Sequence, residues 1–64
     1  MLCTECQSGY RAPYDRFERV AANPKMPAYL MRCKVCGALW NETSGPPVLI
    51  TRTEARWLYP QARI

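Results

Sequence analysis

Two matched cysteine pairs, Cys3-Thr4-Glu5-Cys6 and Cys33-Lys34-Val35-Cys36-Gly37, constrain this 64-residue chain more than anything else in it, and it has no other cysteines. In a C-x-x-C pair the two sulfurs can converge on one side of a tight turn, and a tetrahedral ion then needs only one further pair from elsewhere. Cys3, Cys6, Cys33 and Cys36 are therefore the candidate metal ligands. Twenty-six residues separate Cys6 from Cys33. That is more than the commonest structural zinc spacing, but ample for a hairpin that brings the second turn back over the first.

Two other uses of four cysteines compete with a metal. A pair of disulfides suits a secreted miniprotein, but the chain begins Met1-Leu2-Cys3, which leaves no room for a signal peptide ahead of the first ligand. A reducing cytoplasm is the expected location. A C-x-x-C redox pair normally sits at a helix start within a βαβ fold larger than this chain can build. Metal is the expectation that the spacing favours.

At these residues the chain resembles the zinc ribbon superfamily, whose two cysteine turns, or knuckles, sit at the ends of short antiparallel strands. Cys33-Lys34-Val35-Cys36-Gly37 matches the C-x-x-C-G knuckle, in which glycine supplies the positive φ that turns backbone amides toward the sulfurs. The first knuckle departs from it, because Gln7 and Ser8 follow Cys6 and the glycine waits until Gly9. The resemblance implies a small metal-stabilised domain, a zinc ribbon with one zinc ion on four cysteines. Two C-x-x-C pairs in a small aromatic-rich domain also look like rubredoxin, which implies iron and electron transfer. The first knuckle lacks that family's glycine.

A domain of this length buries too little surface to offset its conformational entropy comfortably, so it needs a staple. A structural zinc ion supplies about 10–16 kcal/mol of apparent binding free energy, which in such domains becomes folding free energy. The formal charge of +4 counts neutral thiols; four thiolates on one divalent ion would bring it to about +2. The basic residues form no contiguous run, and a solvated, mildly basic surface accounts for them. No apolar stretch approaches the roughly 18–20 residues of a membrane span, so the chain reads as soluble with no membrane partner.

Along the chain, Ser8-Gly9 and Pro13 mark turns after the first knuckle. Residues 14–21 are ambiguous: Tyr14, Phe17 and Ala21 share a helical face, whereas a hairpin return to the second knuckle wants a strand. The strand is the reading taken. Asn23-Pro24 is a turn, and Ala28-Tyr29-Leu30-Met31-Arg32 is the best strand, running straight into Cys33. Ala38-Leu39-Trp40 leaves the knuckle as a short strand, Asn41 to Pro47 is a loop, and Val48-Leu49-Ile50 returns at a sheet edge, since prolines cannot donate to a ladder. Thr51-Arg52-Thr53-Glu54 has capping-box spacing and predicts a short C-terminal helix from Arg52, ended by Pro60. Ala55, Leu58 and Tyr59 share its inner face, with Ile50 placed to pack on Ala55. Trp57 then points away, although a tryptophan in so small a protein could equally pack in the core.

The chain has no histidine, which removes the commonest general base and the usual open catalytic zinc sites. A closed four-thiolate site offers no position to water or substrate. The acidic residues show no paired-carboxylate motif. A non-catalytic protein with no small-molecule substrate is expected, acting by presenting a rigid surface to a macromolecule. A protein partner is favoured, because tryptophan, tyrosine and arginine are enriched at interface hot spots, with Trp57, Arg56, Trp40 and Tyr59 as candidates. Accessory subunits and the small immunity proteins of bacteria are similar in size and class. The alternative is a nucleic-acid-binding zinc ribbon, with cations on phosphates and aromatics stacked on bases.

Overall fold

The computed structural model describes residues 2–64. Its strands form one antiparallel sheet in the order β1-β2-β3-β4: β1 (Phe17–Ala22), β2 (Tyr29–Cys33), β3 (Leu39–Glu42) and β4 (Val48–Ile50). Two helices flank it in sequence, α1 (Thr4–Gln7) and α2 (Arg52–Leu58). No helix among the described residues is long and apolar enough to cross a membrane.

Residues 14–21 divide. The strand reading holds from Phe17 onward, but Tyr14–Arg16 form a 3-10 turn, a correction to the expected boundary. Pro13 starts that turn, and its carbonyl accepts the Arg16 amide at 3.5 Å. The helical spacing of Tyr14, Phe17 and Ala21 goes unused because β2 offers β1 a full ladder, from Phe17 opposite Cys33 to Ala22 opposite Tyr29. Glu18 and Arg32 face each other in that ladder and form a salt bridge at 2.8 Å. The register slips between Arg19 and Ala21, which adds a bulge at Val20 and with it local twist.

β3 extends past Trp40 into the expected loop, because Asn41 and Glu42 find partners in Leu30 and Tyr29. β4 lies at the sheet edge directly after Pro46-Pro47, as the missing proline amides require. α2 starts on a complete capping box: Glu54 N–H donates to Thr51 Oγ1 at 3.1 Å and Thr51 N–H donates to Glu54 Oε1 at 3.1 Å. The Tyr59 amide closes the last turn on the Ala55 carbonyl at 2.8 Å.

Side chains alternate across a strand, and here the alternation separates two cores. Leu30 and Leu39 pack with Ala28, Ala55 and Tyr59 under α2, and Ile50 and Leu58 border this group. Their chain neighbours Met31 and Trp40 belong to the other group, with Phe17, Ala38, Cys6 and Cys33. α2 and the cysteines thus occupy opposite sides of one sheet.

Candidate metal centre

The second knuckle grows out of β2. Cys33 is the last residue of that strand, its N–H donates to Ala38 O at 2.9 Å, and Gly37 N–H returns to Cys33 O at 2.8 Å. Gly37 has φ +79°, a conformation that a side chain would resist. The first knuckle reaches a similar end by another path. Cys3 caps α1, Gln7 N–H donates to Cys3 O at 2.9 Å, and Gly9, at φ +110°, closes on Cys6 O at 3.1 Å. The delayed glycine is the length of one helical turn, so the departure from the C-x-x-C-G spacing lengthens the knuckle without displacing its sulfurs.

All four Sγ atoms lie within 4.8 Å of one another, with Cys6 and Cys33 buried and Cys3 and Cys36 partly exposed. Cys3 Sγ and Cys33 Sγ are 3.8 Å apart. Ligands at about 2.3 Å from a tetrahedral metal have edges of about 3.8 Å, so the donor set fits one ion on four cysteines.

The surroundings act unequally on the sulfurs. Burial pushes the Cys6 thiol up to about 11, against the opposing pull of Arg16. Burial also raises Cys33, but the amides of Cys36 and Val35 and the neighbouring thiols outweigh it and bring Cys33 down to about 6. Cys36 is likewise lowered from the ordinary thiol value despite burial, by backbone donors and by the Cys3 sulfur.

Arg16 is the residue that the sequence did not single out. Its side chain is buried and reaches Cys6 Sγ from Nη2 at 3.5 Å, while Nη1 donates to the carbonyls of Arg11 and Pro13. Its own carbonyl accepts the Lys34 amide at 2.7 Å. One residue thereby touches both knuckles. Its guanidinium lies 4.1 Å from the Phe17 ring centroid, and Tyr10 stacks on that same ring at 4.1 Å. A buried anionic centre calls for a nearby cation, but nothing in the spacing marks which of nine basic residues supplies it.

The structure buries two of the four candidate partner-binding residues. Trp40 is 5% exposed, packed beside Cys6 and edge-on to Tyr10 at 5.6 Å. Tyr59 is 1% exposed, with its hydroxyl on Asn41 Oδ1 at 2.5 Å. Both are core residues, Trp40 because β3 directs it onto the cysteine face, Tyr59 because it ends the inner stripe of α2. Trp57 is 81% exposed. It borders a groove with Pro24, Met26, Leu58 and Pro60, and Lys25 lines the same groove. Arg56, also exposed, donates from Nε and Nη2 to the Ile64 carbonyl at 3.3 and 3.1 Å, which pins the end of the chain beside α2.

No family model, curated protein or solved structure matches this chain.

Proposed function

We propose that this chain is a zinc-held, non-catalytic module that binds a protein partner through the surface around Trp57 and Arg56, as an accessory or small inhibitory subunit. The observation that carries the reading is Trp57 itself. A tryptophan held on a capped helix with 81% of its surface in solvent contributes little to the fold, whereas buried in a partner it is the side chain that most often dominates an interface. The groove beside it is bordered by apolar side chains with a lysine among them, a mixed surface of the kind that suits a protein.

Zinc is favoured for the centre because a closed set of four thiolates is the usual structural zinc site. Iron in the same ligands would give a rubredoxin-like electron carrier, and its visible colour distinguishes it from colourless zinc. Nucleic-acid binding is the weaker alternative, since several arginines are engaged within the chain: Arg16 at Cys6, Arg19 over the Tyr29 ring at 4.2 Å and Arg32 on Glu18.

The test is affinity purification from the native host with wild-type and Trp57→Ala chains side by side, both verified to be folded and metal-loaded. A protein retained by the wild type and lost from the variant, with retention unaffected by nuclease, is the expected result. Equal retention would remove Trp57 from the interface. Nuclease-sensitive binding that falls steeply between about 50 and 200 mM salt would favour nucleic acid.

A further inference from the structure

Two buried donors beside the cysteine cluster have hydrogen-bonding capacity unspent. Arg16 Nε and Trp40 Nε1 are both buried without an acceptor among the described residues, and a buried donor left unpaired calls for an explanation. Arg16 sharpens the question, because a buried charge is unfavourable unless an opposite charge meets it. No carboxylate among the described residues bridges Arg16; its guanidinium meets two carbonyls and the Cys6 sulfur. Trp40 packs in the same buried group as Cys6. The opposite charge that this corner lacks is what four thiolates around a divalent ion would carry.

We propose that Arg16 is the counter-cation of the metal–thiolate centre, and that Arg16 and the Trp40 indole together anchor Cys6, leaving Cys3 and Cys36 as the ligands that detach first. This rests on the four-thiolate reading of the centre and not on the identity of any partner. Donors directed at a metal-bound sulfur draw density from it and weaken it as a nucleophile, while a neighbouring cation offsets the charge of the whole centre. Cys6 is buried against these groups. Cys3 and Cys36 are partly exposed, and they have no side-chain nitrogen donor among the described contacts. The centre is therefore two-sided, with a held sulfur inside and replaceable ones at the rim.

The test loads the full chain with cadmium-113 and looks for scalar coupling from the metal to side-chain protons. Couplings to the Arg16 guanidinium and to the Trp40 indole proton are expected, and iodoacetamide should modify Cys3 or Cys36 before Cys6. Arg16→Met should weaken zinc binding about 10–100-fold and move the cobalt–thiolate charge-transfer band to lower energy, with Arg16→Lys recovering part of the affinity. A folded Arg16→Met chain with wild-type affinity and an unmoved band would overturn the proposal. If that variant does not fold, the couplings in the wild-type chain still decide, and their absence from a normal four-sulfur centre would overturn this inference alone. Failure to bind metal through four sulfurs would overturn the centre and the inference together.

Discussion

Cys3 Sγ and Cys33 Sγ, thirty positions apart in the chain, stand 3.8 Å from each other. That separation is one edge of the sulfur tetrahedron that a metal at about 2.3 Å requires. It also joins a helical turn before the sheet to the end of a central strand, so an ion bound there closes a loop of the chain that contains Tyr10 and Phe17.

Removing the ion should therefore unfold the protein. A chelator strong enough to compete with about 10–16 kcal/mol of binding free energy is expected to erase the near-ultraviolet dichroism of Trp40, which is held rigidly against Tyr10. Trp57, in solvent, contributes little to that signal before or after. Native dichroism that persists after verified metal loss would show that the two apolar groups hold the fold unaided.

Metal affinity should rise with pH. The metal-free chain is the unfolded one, so its four cysteine thiols hold their protons through the neutral range at the ordinary value of about 8.5, and the ion must displace them. Each displaced proton adds about a tenfold change in affinity per pH unit. The stability that the ion confers is therefore largest at high pH and is lost as pH falls. Competition titrations from pH 5 to 9 would check this, and an affinity independent of pH would contradict it.

Trp57 on α2 and Tyr59 at its C-terminal cap should respond in opposite ways. Tyr59→Phe removes the bond to Asn41 Oδ1 and is expected to lower stability by about 0.5–1.5 kcal/mol. Trp57→Ala should change stability by no more than about 0.5 kcal/mol, yet weaken partner binding by about 2 kcal/mol or more. Denaturant titration of both metal-loaded variants, with the partner affinity of the second, separates the two roles.

Thr51→Ala should destabilise the domain by about 0.5–2 kcal/mol, because it removes the acceptor for the Glu54 amide and the hydroxyl that donates to Glu54 Oε1. The loss should appear first as fraying of α2, read from faster amide exchange at Glu54 and Ala55. Thr51→Ser, which keeps the oxygen, should retain most of the wild-type stability.

The parts of this fold that are legible in the sequence are those set by neighbours in the chain. The cysteine spacings, the prolines before β4 and the Thr51/Glu54 box each act within a few residues, and the structure places each feature within a residue or two of its expected position. The less legible parts depend on distant partners. Trp40 could have been a surface aromatic until Tyr10, thirty positions earlier, arrives edge-on against it. The start of β1 depends on where β2 offers a partner, which the helical spacing of Tyr14, Phe17 and Ala21 contradicts. Arg16 is one cation among nine by composition, and only the turn begun at Pro13 carries its guanidinium inward.

Leu39 and Trp40 are consecutive residues of β3, yet one packs under the helix and the other beside the cysteines. With a single layer of strands between them, neither side can disorder without withdrawing support from the other, so the domain should melt as one unit. The exposed face of α2 would then exist only while the opposite side of the sheet is held together. Under the proposed function, a partner that reads Trp57 on a formed α2 would discriminate loaded chains from empty ones without touching the ion.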